Sequence, residues 1–302
     1  MEQVLHKFEA YLLTEKRVSQ NTFEAYKRDI EQLVLFLKGV HNISLKKAKR
    51  EHLKGFLHHL KKNGHSARTM SRKISAIKVF FTYVSTYLDW KNVSDDLTFP
   101  KLEKRLPQYL TEQEIEKLFN IAEQDNSETG FRNKVMLYLL YVSGMRISEM
   151  VNLTISQIQF DTNLINITGK GGKGRVIPIP QAMTQMLQTY IDKIVSKITR
   201  KGKKKVRNGY LFPVIYAGKL KPISRQSFWT ILKGMWAKAG NPKSISPHQL
   251  RHSLATHMLK NGVDLRSLQM LLGHENLSTV QIYTHLEISY LRDVYDKKHP
   301  RA

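Results

Sequence analysis

The chain has no cysteine, so disulfides and Cys-ligated zinc are excluded at the outset. Carboxylates are scarce: 25 Asp and Glu stand against 49 Lys and Arg, a formal charge of +24. That surplus points to a polyanion as partner, but it does not separate ribosomal or architectural proteins from enzymes. Long apolar runs are missing too. The longest, Val135 to Val142, falls far short of the roughly 20 residues a bilayer-crossing helix needs. The first residues, MEQVLHKFEA, carry acidic side chains and lack the apolar centre of a secretion signal. A soluble, cytoplasmic protein without a membrane partner is expected.

What is present suffices for two modest domains. The chain has 302 residues, 41% of them hydrophobic, which supports real cores over disorder. Residues 1–90 read as helices. Ser19 is placed to cap a helix carrying Phe23, Tyr26, Ile30, Leu33 and Leu37 at steps of three and four. Another starts near Ser66, with Met70, Ile74, Ile77, Phe81 and Val84 on one face. Basic residues are dense from Lys46 to Lys78, and Glu51 is the lone acid there. A solvated surface would look similar, but a single sign over so long a stretch favours a phosphate-contacting face. Arg68, Arg72 and Lys73 are its candidate DNA contacts.

Periodicity fades over residues 91–108, where Pro100 and Pro107 sit among charged residues, and this is read as a linker. A second domain, 109–302, opens with Thr111-Glu112-Gln113-Glu114, which has the form of a capping box. It reads as mostly helical with one β excursion. Leu164 to Thr168 and Val176 to Ile179 flank GKGGKGR as a hairpin. Gly169, Gly171 and Gly174 match the dinucleotide fingerprint letter for letter. Val176-Ile177-Pro178-Ile179-Pro180 follows, however, and cannot form the helix that fingerprint needs. No nucleotide site and no cofactor is expected. The basic run Lys197 to Arg207 is either a solvated loop or a source of nonspecific DNA affinity.

Chemistry-bearing residues are spread along this second domain. Arg146 follows Gly144 at the end of an apolar helix, with Glu149 three residues on. Lys170 and Lys173 lie in the hairpin turn. Ser246-Pro247 forms a good helix start, an N-cap followed by proline. It sets His248 and Arg251 on one side of the first turn, beside free N–H groups that favour an anion. Gly273 closes a helix over Leu268, Leu271 and Leu272, leaving His274 at its end, and Tyr283 stands on the first turns of the next. Two guanidinium forks can chelate phosphate oxygens. A tyrosine can attack phosphorus while His and Lys move protons. Each box alone is weak: a lone His-x-x-Arg is usually a surface pair, and an Arg such as 146 could be an ion-paired core residue.

Taken in order, these boxes resemble the tyrosine recombinase (phage integrase) family over nearly the whole chain. They run Arg146, Lys170 on a hairpin, His248-Gln249-Leu250-Arg251, His274 and Tyr283 nine residues later. The ending Lys298-His299-Pro300-Arg301-Ala302 is similar to the Xer branch. The resemblance implies a mainly α fold with a small β-hairpin sheet. An N-terminal helical, SAM-like DNA-binding domain would precede a C-terminal catalytic domain. Tyr283 would be the nucleophile, forming a 3′-phosphotyrosine, with His248 as its base. Arg146, Arg251 and His274 would stabilise the five-coordinate phosphorus, and Lys170 would protonate the leaving 5′-hydroxyl. Glu149 would brace Arg146, and Lys173 would contact backbone phosphate. Neither metal nor ATP is required.

The partners implied are duplex DNA with a specific recombination site, a homo- or heterotetramer with a second Xer-type recombinase, and an FtsK-like DNA translocase. Tetramer contacts would run through exchange of the C-terminal segment. There Ile288 to Tyr295 reads as a short helix ahead of the polar tail Asp296 to Ala302; docking on its own domain is the competing reading. A mobile-element integrase, a type IB topoisomerase and an architectural DNA-binding protein are the competing functions. The intact set of six chemical residues disfavours the last.

Overall fold

A computed structural model describes residues 2–101, 109–168, 174–201, 209–241, 244–272 and 294–301. The chain divides into two compact units, Met1–Arg105 and Leu106–Ala302. The division falls inside the stretch read as linker. The first part of that stretch packs with the N-terminal unit, whose core includes Leu97.

Among its described residues the N-terminal unit holds four α-helices: α1 (Glu2–Thr14), α2 (Gln20–His41), α3 (Arg50–Lys62) and α4 (Ala67–Leu88). Two of them start where serine can accept an otherwise orphaned N–H. Ser19 Oγ takes the Thr22 amide at 3.3 Å and Ser66 Oγ takes Thr69 at 3.2 Å. The three-and-four spacing then buries Ile30, Leu33 and Leu37 of α2 against Ile74, Ile77, Phe81 and Val84 of α4. Phe8 and Leu12 of α1 and Leu53, Phe56 and Leu60 of α3 complete this core.

The second unit is helical around a small antiparallel sheet. Its elements are α5 (Glu112–Glu123), α6 (Glu128–Ser143), α7 (Ile147–Asn152), β1 (Ile158–Gln159), β2 (Leu164–Thr168), β3 (Gly174–Pro178), α8 (Gln181–Tyr190) and α9 (Ser196–Lys201). They continue with β4 (Pro213–Tyr216), β5 (Lys219–Pro222), α10 (Arg225–Lys238), α11 (Pro247–Lys260) and α12 (Leu265–Leu272). A π-helical stretch, Ile191–Val195, joins α8 to α9. Helix α6 is central to this unit. Val135, Met136, Leu137, Leu139, Leu140, Tyr141 and Val142 are all at most 3% exposed, which explains the longest apolar run without a membrane. Among the described residues no helix is long and apolar enough to cross one.

Strands β1, β2 and β3 are neighbours in that order, all antiparallel, and Leu164 pairs with Pro178 at the open end of the expected hairpin. A second hairpin, β4–β5, was not expected. Its turn places Ala217 and Gly218 at φ of 48° and 71°. Alanine is a poor residue for that left-handed position, so the usual Asn-Gly or Asp-Gly signal is missing.

Near the C-terminus, residues 294–298 are helical and the last described residues dock on their own unit. Tyr295 is 1% exposed and belongs to the main core, and His299 is buried beside it. The described residues thus follow the competing reading, docking in place. Most of the expected helix from Ile288 lies outside them.

Candidate active site

Three chain segments meet around one carboxylate. Helix α6 ends at Gly144, whose φ is +57°. A Cβ there would lie 2.7 Å from Leu254 Cδ2 and 2.8 Å from Leu272 Cδ2, so any other residue would strain the backbone and make those leucine methyls shift. The chain then turns, and Arg146 occupies the N-cap position of α7. Its amide donates to Glu149 Oε2 at 2.7 Å and its Nη1 donates to Oε1 at 3.1 Å. The Arg146 side chain remains 43% exposed, so a base-paired duplex could reach it.

Arg175 of β3 meets the same carboxylate from the other side. Its Nη1 donates to Glu149 Oε1 at 2.9 Å and its Nη2 to Oε2 at 2.8 Å, a two-pronged pair that is itself buried. Burial alone would raise the Glu149 pKa. The bonds from Arg175 and Arg146 more than reverse that and hold it at about 2. Sequence reasoning missed Arg175, although strand alternation carries a signal: it shares a face with buried Ile177.

Helix α11 supplies the second cluster. Ser246 caps it, accepting the Gln249 amide at 3.3 Å, with Pro247 at the first helical position. Exposed His248 and buried Arg251 follow on one side of its first turns. The Arg251 Nη1 donates to the Gly144 carbonyl, and Nη2 donates to the Leu272 carbonyl at 2.5 Å. Arg251 therefore ties the end of α6, two residues before Arg146, to the end of α12, two residues before His274. Burial first, then the charges of Arg146 and Arg175, push its pKa down to about 10. The nearby His257 is fully packed, its Nδ1 within 2.8 Å of the Tyr141 hydroxyl. Among the described residues, Arg146 and Arg175 thus bond the Glu149 carboxylate, and Arg251 lies near enough to feel all three charges. Such a gathering of guanidinium groups favours an anion.

Lys170, Lys173, His274 and Tyr283 lie outside the described residues. Of the expected DNA contacts in the N-terminal unit, Arg68 is exposed. Arg72 bonds the Asp29 carboxylate and the Ala25 carbonyl while its side chain stays 41% exposed. Lys73 is corrected: it is 3% exposed, and its amine bonds Asp29 at 2.8 Å and also Gln32. The charge neutralises a buried carboxylate inside the fold, so this lysine does not present itself to a phosphate.

Comparison with known proteins agrees with this architecture. The family model described as phage integrase family matches residues 108–289, and the phage integrase N-terminal SAM-like domain matches residues 5–86. The tyrosine recombinase XerD of Halalkalibacterium halodurans is 38% identical over 300 residues, covering 99% of this chain and 98% of the relative. The tyrosine recombinase XerD of Oceanobacillus iheyensis is 36% identical over 304 residues, with 100% of each covered. Among solved structures, the XerH site-specific recombinase bound to its difH substrate aligns with a TM-score of 0.67. The match has 22% identity over 96% of this chain and 83% of that one, a likeness of fold. The chain belongs to the phage integrase family, the tyrosine recombinases. Its activity is that of a site-specific DNA recombinase of the Xer type.

Proposed function

We propose that this chain cuts and rejoins DNA through a 3′-phosphotyrosine on Tyr283 and that it resolves chromosome or plasmid dimers in the cytoplasm. The observation that carries the reading is the gathering of three guanidinium groups near Glu149 among the described residues. Arg146 and Arg175 bond that carboxylate and Arg251 lies within reach of their charges, an arrangement suited to a phosphodiester whose negative charge grows as a fifth oxygen approaches. A tyrosine hydroxyl has a pKa near 10 and needs a base. His248, exposed on the first turn of α11, takes that role in this reading. Arg146 and Arg251 grip the nonbridging oxygens with His274, and Lys170 gives its proton to the departing 5′-hydroxyl. Attack by a 5′-hydroxyl of a second duplex reverses the step, so the phosphate bond energy is conserved in the tyrosyl linkage. Arg68 and Arg72 of α4, with Lys173, contact the DNA backbone.

Strand exchange needs two duplexes held together. Four protomers, of this chain alone or with a second Xer-type recombinase, assemble when the C-terminal segment now docked on its own unit enters the same slot of a neighbour. An FtsK-like translocase activates the assembly.

The test is a nicked suicide duplex carrying a candidate recombination site. The wild-type chain is expected to leave an SDS-stable covalent complex, and Tyr283→Phe to bind the duplex without forming it. An adduct in that variant assigns the nucleophile elsewhere.

A further inference from the structure

We propose that Arg175 is a positioning residue for strand cleavage: it fixes Glu149, and through it the Arg146 guanidinium, in register with the hairpin that carries Lys170. The inference rests on the reading of Arg146 and Lys170 as catalytic residues. Four donors converge on the Glu149 carboxylate: the Arg146 amide and Nη1, and both terminal nitrogens of Arg175. That fills its lone pairs. Each oxygen takes one bond from α7 and one from β3, so the carboxylate cannot turn without breaking a bond to either side.

The position is costly for stability alone. Arg175 faces inward beside Ile177, and its cross-strand partner is Ile167, so an apolar side chain would suit the packing. Its Nε is buried and finds no partner among the described residues. It also adds positive charge beside Arg251. What the guanidinium accomplishes is directed at Glu149. Arg175 follows Lys170 by five residues in sequence, so the strand that orients the clamp begins just after the segment that carries the proton donor.

Removing Arg175 takes two charge-assisted bonds from a buried carboxylate. Desolvation then raises the Glu149 pKa, and the neutral acid no longer holds Arg146 by charge. The experiment uses the full chain on the nicked suicide duplex. It compares wild type, Arg175→Met, Arg175→Lys, Glu149→Gln and the Arg175→Met/Glu149→Gln pair. Single-turnover cleavage is followed against pH, with DNA affinity and thermal melting measured alongside. Arg175→Met is expected to cleave at least about tenfold more slowly with DNA affinity little changed. Its rate should fall as pH is lowered by more than the wild-type rate does, an additional acid limb. The double variant should lack that limb and be no slower than Glu149→Gln alone. Arg175→Lys, which keeps a cation in the core, should show the same defect in milder form; it carries the test if the methionine variant does not fold.

Wild-type cleavage in the Arg175 variants, or a defect without the acid limb that adds to that of Glu149→Gln, overturns the proposal. Arg146→Lys separates this failure from that of the underlying reading. If it cleaves normally, the clamp assignment itself is wrong. If it is impaired while Arg175→Met is not, only the role of Arg175 falls.

Discussion

The Tyr295 hydroxyl donates to the Val142 carbonyl at 2.8 Å, joining residues 153 apart in sequence. That carbonyl lies in the last turn of α6, the turn that leads into Gly144 and Arg146. The bond sits under a stacked pair, Tyr295 on His299, with ring centroids 4.4 Å apart. The chain's final residues therefore complete the core from which the site is hung.

Burial pushes His299 down to about 3, and its Nδ1 accepts the Arg301 amide at 2.9 Å. An unfolded histidine takes up a proton near pH 6.5. Between those values the unfolded chain binds the proton and the folded chain does not, so stability is present above about 6.5 and is lost as pH falls below it. Urea unfolding at pH 7.5 and 5 should show the loss, and His299→Gln should reduce its slope. His257, also pushed down by burial, acts with the same sign and keeps the slope from vanishing. An unchanged slope in His299→Gln would mean that the imidazole is not buried in solution.

Arg146→Lys and Arg251→Lys keep their charge and lose the planar fork, so cleavage should drop by at least about 10² in each. Arg251→Lys should also lower the melting temperature of the second unit, because two buried carbonyls lose their donors. Arg146→Lys, at a half-exposed position, should not. Wild-type cleavage in either variant would make that arginine structural.

A substrate with a 5′-bridging phosphorothiolate has a leaving group that needs no proton. It should restore cleavage to Lys170→Ala and leave Arg251→Ala impaired. Suicide-duplex kinetics with the two substrates measure this, and equal failure of rescue in both variants assigns the proton donor elsewhere.

In the N-terminal unit, Lys73→Met leaves Asp29 with Arg72 alone. A buried carboxylate stripped of a partner costs up to about 3–5 kcal/mol, reduced by what Arg72 retains. Denaturant unfolding should register the loss, while the folded variant binds DNA as wild type does. A selective loss of DNA binding at unchanged stability would return Lys73 to the DNA face.

Local rules made much of this fold legible. Ser19, Ser66, Thr111 and Ser246 announce their helices because a cap is written within four residues. Gly144 and the apolar run before it mark the end of a buried helix in the same way. Lys73 misled because its partner Asp29 lies 44 residues away, and no pattern along α4 reveals which basic residue turns inward. Arg175 escaped for a related reason. It stands among glycines and lysines that resemble a solvent-exposed turn, and the carboxylate that defines it is 26 residues upstream. The family resemblance supplied Arg146, His248 and Arg251; that Arg251 bonds the Gly144 and Leu272 carbonyls is a tertiary fact that spacing does not contain.

The pairing of Asp29 with buried Lys73 bears on how the protein leaves DNA. Binding strengthens at low salt because each phosphate neutralised frees condensed counterions, and affinity falls with a slope of about 0.9 per contact on logarithmic axes. A cation already spent on an internal carboxylate displaces no ion and adds nothing to that slope. A protein with a formal charge of +24 therefore responds to ionic strength as a less charged one would. The steepness of its release is governed as much by where its few acids sit as by how many lysines it carries.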